Sequence, residues 1–470
     1  MKKYLSLLIL LFTVSLNVSA QEQMVFTHEQ LMRSILEYHP VARQAQLVVT
    51  SGALNVRKAR GAFDPYLYGY LDEKQFDQKQ YYQLLNTGLE IPTWFGANIK
   101  AGLEQTGGTY LNPEYTTPDA GLVYAGVSVP LGQGLFIDER RKTLRQAQIY
   151  ASATEVERLS ILNDLLYEAS VQYWEWVNAW NQVEVFEQAL EIAGTNLDAV
   201  RESYAQGDKA AIDTVEALIQ LQTLEVSLNE ARINYVTQTL GLSGYLWGNN
   251  NVPLQITESL IPPAFASVPP VPPVNMDSVS QLVASLAATH PDIRAYDYKM
   301  ASLEVEKRWK KEQLKPSLNL KYQFLAEPIG NEVFSQFSTQ NYKWGVSLSF
   351  PVFLRKARAD LQLVNVYMQE TMLSQSEKTL LLKNKAESYS RQIQNLQQQI
   401  ALFSQTVVNY ERMLEAERQK FDIGESSLFL INSRQNKLID ARLKWLDLNA
   451  KYQKSSVSLL WSLGIVYEEG

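Results

Sequence analysis

The sequence predicts an α+β membrane protein built from two tandem structural repeats, and three observations lead to this prediction. Long stretches carry apolar residues at alternating spacings of three and four, which is the pattern of coiled-coil helices. Other stretches alternate apolar and polar residues, which is the pattern of half-buried strands. The same order of helix, strands and long helical hairpin occurs twice along the chain.

The N-terminus has the features of a cleavable secretory signal peptide. Lys2 and Lys3 precede an apolar stretch that ends in small residues at Ala20, so we assign residues 1–20 to the signal peptide. The apolar stretch is too short to span a bilayer. The chain has no cysteine, which excludes disulfides and lipid attachment through an N-terminal cysteine. We therefore expect an exported protein that is not a lipoprotein.

Charge and residue types argue against several functions. The formal net charge of −7 becomes −9 when Lys2 and Lys3 are removed, which disfavours nucleic acid as a partner. Three histidines and no cysteine leave little for an active site, so we expect no enzyme, no catalytic or metal site and no cofactor. We expect Trp174, Trp176 and Trp180 to pack between helices, with an aromatic substrate site as the less favoured alternative.

Three features recur at a constant offset of 251 residues, which indicates a duplication. They are the capping sequences at Thr27 and Ser278, the pairs His39-Pro40 and His290-Pro291, and the prolines Pro65 and Pro316. Repeat one is assigned to residues 21–248 and repeat two to residues 276–464. A proline-rich linker, residues 249–275, separates them, and residues 465–470 form a tail. The first helix is expected to run through His39 to about Arg60.

Prolines mark the junctions between helices and strands. The junction residues are Pro65, Pro130, Pro316 and Pro351. In repeat two, residues 318–324 and 342–350 alternate to give two strands with one aromatic, apolar face and one polar face. Repeat one has a longer interval between its prolines, and the surplus contains a further strand-like pair near residues 84–104. The sequence predicts about four main strands, and it leaves open whether the extra hairpin joins the sheet or caps it.

Each repeat ends in a long helical hairpin that reverses at a glycine. In repeat two, a first arm of about seventy residues would span roughly 100 Å, and its apolar seam is interrupted only by Glu417. Gly424 can take the positive φ of a helix C-cap, and Ser426 and Ser427 are candidate N-caps for the returning helix. In repeat one the corresponding reversal is at Gly207.

Strands with one apolar and one polar face suit a barrel wall between lipid and water. An ordinary sheet covered by helices is less favoured, because helices of roughly 100 Å could touch it at one end only. About four strands cannot close a barrel, since single-chain barrels start near eight strands. Closure of a barrel therefore requires several copies of the chain.

Taken together, these features resemble the TolC-like outer-membrane efflux protein family, also called outer membrane factors. The resemblance is carried by the two His-Pro pairs, the proline-bounded strands, the segment 129–135 and the reversals at residues 204–207 and 421–424. It implies a homotrimer with a shared β-barrel in outer-membrane lipid and a long periplasmic α-helical coiled-coil tunnel. It also implies the channel of a tripartite efflux or type I secretion system, with a periplasmic adaptor and an inner-membrane pump of the RND or ABC type.

The resemblance also implies where the adaptor binds. The reversals lie farthest from the outer membrane in this family and meet the adaptor's own hairpin tips. In this sequence the corresponding tip residues are Gly207, Asp208, Lys209, Gly424 and Glu425. We expect Lys209 and Glu425 to be exposed.

The entrance gate is where this sequence departs from the family pattern. TolC-like channels can link an Asp past the first reversal to a Tyr and an Arg at the second. Asp213 matches the Asp, but Phe421 has no hydroxyl and Ser426 has no charge. Leu430 and Ser433 occupy positions at which some relatives carry pore-narrowing carboxylates. We therefore expect closure to depend on apolar packing of residues such as Phe421, Leu428 and Leu430, with any charged link secondary.

Two other protein classes fit the sequence less well than a channel. A periplasmic coiled-coil adaptor would have one hairpin flanked by compact β domains, whereas this sequence has two hairpins and amphipathic strands. A soluble coiled-coil scaffold would not need proline-bounded alternating strands. The sequence does not identify the transported substrate, because drugs, metal ions and secreted proteins all pass through channels of this kind.

Overall fold

The computed structural model describes residues 24–257, 259–268, 276–328 and 337–466. The described chain divides into two compact units. Unit 1 contains the described residues of Met1–Gln44, Ile161–Ser285 and Leu382–Gly470, and unit 2 contains those of Ala45–Ser160 and Leu286–Leu381. The predicted signal peptide, residues 269–275 of the predicted linker and residues 467–470 of the predicted tail lie outside the described residues.

Helices account for most of the described chain. The helices are α1 (His28–Tyr38), α2 (Pro40–Arg60), α3 (Glu139–Ala205), α4 (Ala211–Ser243), α5 (Met276–Thr289), α6 (Pro291–Glu312), α7 (Arg355–Asp422) and α8 (Leu428–Leu463). The strands are β1 (Met24–Val25), β2 (Tyr66–Phe76), β3 (Lys79–Pro92), β4 (Asn98–Gly107), β5 (Leu122–Pro130), β6 (Leu260–Ile261), β7 (Ser317–Ala326) and β8 (Tyr342–Ser349). Helices α3 and α7 have 67 and 68 residues, so the predicted long arms are confirmed. Within the described ranges, no helix combines the length and apolar character needed to cross a membrane.

The helix predicted to run through His39 is in fact two helices. Helix α1 begins with the predicted capping box, in which the Gln30 N–H donates to the Thr27 hydroxyl. His39 then adopts an extended backbone with φ −66° and ψ 132°, and α2 starts at Pro40. The reason is steric, because a proline ring disfavours the helical conformation of the residue before it. His290 is extended in the same way before α6.

Apolar seams hold the long helices of unit 1 together. Val183 of α3 and Leu228 of α4 share one buried cluster, and Leu414 of α7 shares another with Leu438 of α8. A further cluster joins α3, α4 and α8 and consists of Ala189, Ala193, Leu224 and Ile439. Both hairpins therefore pack internally along the predicted seams, and they also contact each other.

The described part of the linker is anchored to unit 1. Strand β6 of the linker pairs in parallel with β1 near the N-terminus. The Asn181 side chain of α3 donates to the Pro263 carbonyl at 3.3 Å and accepts from the Phe265 N–H at 3.2 Å. Phe265 itself is buried. These contacts fix the linker against α3 despite its proline content.

Among the described residues, unit 2 contains a six-stranded antiparallel sheet with the order β2-β3-β4-β5-β7-β8. The extra hairpin of repeat one forms β3 and β4 and lies inside the sheet. This answers the question that the sequence left open. The four main strands that the sequence predicts are β2, β5, β7 and β8, and the extra hairpin adds two more strands to the same sheet.

The predicted junction prolines lie at a strand end or within two residues of one. They are Pro65, Pro130, Pro316 and Pro351. Backbone pairing between the repeats continues past β5, because the Gln133 N–H donates to the Pro316 carbonyl at 2.8 Å. A Cβ on Gly132 would lie 2.1 Å from that carbonyl oxygen, so this close approach requires glycine.

Candidate functional sites in the sheet and the hairpin turns

One face of the sheet is apolar on every described strand. Side chains of directly paired residues lie on the same face, and successive residues point to opposite faces. One row across the sheet consists of Leu67, Leu89, Ala101, Ala125, Phe324 and Tyr342. Large side chains on this face are exposed, with 82% of Leu67 and 62% of Trp344 accessible. A continuous exposed apolar surface of this kind is typical of an interaction with lipid or protein.

The opposite face of the same sheet is polar. The neighbouring row consists of Tyr66, Glu90, Lys100, Gly126, Gln323 and Lys343. Lys100 pairs with Glu90 at 2.7 Å, and Lys343 pairs with Glu104 at 3.3 Å. Two pairs of opposite charge therefore lie on this face, and the face is suited to contact with water.

The two hairpin turns of unit 1 have the same backbone geometry. Gly207 and Gly424 have φ values of +88° and +81°, which glycine adopts at low cost at a helix C-terminus. The N–H groups of Asp208 and Glu425 each donate to the carbonyl five residues earlier, at 2.9 and 2.8 Å. The two chain reversals therefore lie at the predicted glycines, Gly207 and Gly424.

The predicted tip residues differ in exposure. Asp208 and Glu425 are exposed at equivalent positions of the two turns. Lys209, which we expected to be exposed, is half-buried, because its ammonium group lies 3.8 Å from the centre of the Phe421 ring. A cation–π contact of this kind contributes about 0.5–1 kcal/mol at an accessible site. It links the first turn to the end of α7.

Asp213 and Ser426 hydrogen-bond to different residues. The Asp213 carboxylate accepts the Ala210 N–H at 3.3 Å, so it caps the start of α4. Ser426 donates to Glu417 at 2.5 Å, and Arg434 donates to the other Glu417 oxygen at 3.4 Å. The Ser426 hydrogen bond, opposed by burial and assisted by Arg434, holds the pKa of the Glu417 carboxyl below its usual range.

Sequence reasoning missed the pairing of Glu417 with Arg434. The available signal was Glu417 itself, the one charged residue in an otherwise apolar seam. Ser427 is the N-cap of α8, whereas Ser426 bonds Glu417. Of the two N-cap candidates, only Ser427 therefore has that role.

The apolar residues proposed for closure are placed differently from one another. Phe421 packs against the cluster that contains Leu428 and also against the cluster that contains Leu414. Leu428 is buried, whereas Leu430 has 36% of its surface exposed. Ser433 is half-buried. Phe421 and Leu428 therefore stabilise the turn within the chain, and Leu430 remains accessible for other contacts.

Two of the three tryptophans singled out in the sequence are packing residues, as predicted. Trp174 and Trp176 are buried, and the Trp176 indole N–H donates to the Thr239 hydroxyl at 3.0 Å. His28 stacks on Trp174, and burial lowers the pKa of His28 to about 4, so it is neutral at neutral pH. Trp180 is half-buried and lines a cavity of about 790 Å³ within unit 1.

The fold and the two-faced sheet define the architecture of TolC-like outer-membrane channels. CmeC of Campylobacter jejuni is similar with a TM-score of 0.67 and 13% identity, over 93% of this chain and 85% of that chain. The open-state MtrE channel of Neisseria gonorrhoeae is similar with a TM-score of 0.65 and 12% identity, over 94% of this chain and 89% of that chain. VceC of Vibrio cholerae is similar with a TM-score of 0.64 and 14% identity, over 93% of this chain and 96% of that chain. These likenesses establish the fold.

A family match supports the same assignment from the sequence. Residues 282–465 match the family described as outer membrane efflux protein. The matched region contains β7, β8 and the hairpin of α7 and α8. No curated protein matches the chain. The resemblance to TolC-like outer-membrane efflux proteins is thus confirmed.

Proposed function

We propose that the protein is the outer-membrane channel of a tripartite efflux or type I secretion system. The observation that carries this proposal is the sheet of unit 2, which exposes a continuous apolar face and carries paired charges on the other face. Such a sheet suits a wall with lipid outside and water inside. The family match at residues 282–465 supports the same function.

The sheet and hairpins favour a channel over an adaptor or a soluble scaffold. An adaptor has one helical hairpin, whereas this chain has one formed by α3 and α4 and another formed by α7 and α8. A soluble scaffold would not be expected to expose the whole apolar face of a sheet to water. Neither alternative accounts for hairpins and a two-faced sheet in one chain.

The sheet also supports a homotrimer that is delivered by a signal peptide. We assign residues 1–20 to a signal peptide that directs export, and we propose that the protein is not a lipoprotein, because the chain has no cysteine. A sheet of six strands is too small to close a barrel, since single-chain barrels start near eight strands. The mature chain then reaches a closed wall only by association with further copies.

The partners follow from the two turns of unit 1. Asp208 and Glu425 present exposed carboxylates at equivalent positions. We assign these turns, with Gly207, Lys209 and Gly424, to contact with the hairpin tips of a periplasmic adaptor. An inner-membrane pump of the RND or ABC type would supply the cargo.

The channel assignment has a direct test in cell fractions and in planar bilayers. We expect the mature protein in the outer-membrane fraction, released as an oligomer only by detergent, because its apolar sheet face needs a lipid-like environment. The purified oligomer should form ion-conducting channels in a planar bilayer. Release into the soluble periplasmic fraction without detergent, with no channel activity, would instead favour an adaptor or scaffold.

Bulky substitutions at the exposed tip residues should block export without affecting assembly. Asp208→Trp and Glu425→Trp alter side chains that make no core contact in the described chain, so stability should change by less than about 0.5 kcal/mol. Export of a pump substrate in a strain lacking the native gene is the measurement. The matched control is Glu230→Trp, at an exposed position on α4 away from the turn. Normal export by both tip variants would restrict these residues to a structural role.

A further inference from the structure

We propose that three copies of this chain close a shared barrel of eighteen strands, in which the hairpin β3–β4 is part of the wall in every copy. The proposal rests on the proposed channel function and adds to it the width of the pore. Four strands from each copy would give a barrel of twelve. The difference comes from β3 and β4, which lie between β2 and β5 in the sheet.

Backbone pairing shows that the hairpin is continuous with its neighbours. Strand β3 pairs with β4 from Gln83 opposite Gly107 to Pro92 opposite Asn98. Strand β3 also pairs with β2 along nearly its whole length, and β4 pairs with β5. The hairpin therefore separates β2 from β5 by two full strands.

Side chains of the hairpin follow the two faces of the rest of the sheet. The apolar face of the hairpin carries Leu85, Leu89, Ile91, Ile99, Ala101 and Leu103. Five of these are directly opposite apolar-face residues of β2 or β5, and Ile91 is opposite Ile99 within the hairpin. A hairpin that capped the end of a barrel would have no need to place its apolar side chains in register with those of β2 and β5. The pattern is that of a strand pair with lipid on one side and water on the other.

Tyrosines on the polar face tie the hairpin to the strands on each side. The hydroxyl groups of Tyr68 on β2 and Tyr124 on β5 hydrogen-bond to each other across β3 and β4. Tyr124 also donates to the Asn86 side chain of β3 at 2.9 Å. The two rings lie over Gly88 and Gly102 of the hairpin, where no Cβ would fit. The four strands are therefore packed as one unit on this face.

Exposed aromatic residues also mark the turn of the hairpin. Trp94 and Phe95 lie in the turn between β3 and β4, and 78% of the Trp94 surface is accessible. This turn is at the same end of the sheet as the four junction prolines. Phe136, Phe350 and Phe353, which follow β5 and β8, are exposed near that end as well. Aromatic residues at one level of a barrel are typical of the boundary between lipid and water.

The outer edges of the sheet are where the copies would join. Within the described residues, β2 pairs only with β3, and β8 pairs only with β7. Unpaired edges of this length tend to recruit another strand, and a second copy offers the complementary edge. If β8 of one copy pairs with β2 of the next, three copies close eighteen strands. For strands about 4.8 Å apart and tilted by about 40°, the backbone diameter is about 36 Å, against about 24 Å for twelve strands.

Strand order and copy number can be tested by cross-linking, since the chain has no cysteine of its own. The pairs Leu67→Cys with Leu89→Cys and Ala101→Cys with Ala125→Cys should form disulfides on mild oxidation in the full-length, membrane-inserted protein. The pair Leu67→Cys with Ala125→Cys should not, because three strand spacings of about 14 Å separate positions that a disulfide needs within about 7 Å. Leu320→Cys with Val346→Cys, directly opposed on β7 and β8, is the positive control.

A second set of variants tests whether β2 of one copy pairs with β8 of the next copy. Leu71→Cys combined in turn with Trp344→Cys, Val346→Cys or Leu348→Cys should give at least one covalent ladder that stops at three copies on a denaturing gel. Native mass spectrometry of the detergent-extracted protein should also give three copies. A bridge between residues 67 and 125, failure of the residue 101 and 125 pair to bridge while the control does, or a copy number other than three would each overturn the eighteen-strand barrel. Loss of channel activity with the expected cross-links would instead count against the proposed function alone.

Discussion

Replacing Val346 by Arg is expected to abolish assembly of the channel in the outer membrane. Val346 lies on the apolar face of β8, opposite Leu320 of β7, and 53% of its surface is exposed. A basic side chain near the middle of the lipid-facing wall costs about 2–4 kcal/mol, so a trimer would lose about 6–12 kcal/mol. The amount of detergent-extracted oligomer on a size-exclusion column, compared with the wild type, is the measurement.

The matched control for this change is Ser347→Arg. Ser347 is the next residue of the same strand and therefore lies on the polar face, opposite Asn319. The same side chain should be tolerated there, since it would contact water. If both variants assemble equally well, or if Ser347→Arg is the more damaging of the two, the assignment of lipid to the apolar face is wrong.

Local periodicity was sufficient to predict the helices and strands. The seams of α3 and α7 and the alternation of β7 and β8 depend only on neighbouring residues, so the sequence displays them directly. The break at His39 is also encoded locally, since a residue before proline avoids the helical conformation.

The place of the hairpin β3–β4 could not be read from the sequence for a physical reason. A strand that belongs to the wall and a strand that caps it can carry the same alternation, because alternation reports only that one face is apolar. Membership of the wall depends on which strand lies alongside, which is a non-local property. Here Tyr68 and Tyr124, 56 residues apart, hydrogen-bond across the hairpin. No spacing rule predicts that contact.

In the turns of unit 1, too, the sequence predicts local features but not long-range contacts. Gly207 and Gly424 were found from the sequence, because a helix end with positive φ has a strong preference for glycine. The contact between Lys209 and Phe421 joins residues more than 200 positions apart, and the pairing of Glu417 with Arg434 spans the second turn. The first contact arises from packing of one hairpin against the other, and the second arises from packing of the two arms of one hairpin, so single-sequence patterns do not reveal them.

We propose that closure of the entrance depends on apolar contacts of Leu430 and not on a charged link at Asp213. The Asp213 carboxylate caps α4 through Ala210, and an exposed ion pair at such a site would contribute only about 0–1 kcal/mol. Leu430 is accessible within the chain, next to a turn that Phe421 and Leu428 hold in place. Burial of a leucine between copies contributes about 1.5–3 kcal/mol for each copy, which is sufficient to favour a closed state.

We therefore expect Leu430→Asp to raise the resting conductance several-fold and to shift the channel towards cations, whereas Asp213→Ala changes conductance little. The purified oligomer in a planar bilayer gives both quantities, the conductance at low voltage and the reversal potential in a salt gradient. Phe429→Asp is the matched control, because it places the same charge on the adjacent exposed position of α8, which points in a different direction around the helix. Ser433→Asp, about one turn further along α8 on the face of Leu430, should shift ion preference in the same direction as Leu430→Asp. A strongly leaky Asp213→Ala channel beside an unchanged Leu430→Asp channel would place the gate at the start of α4 and not at Leu430.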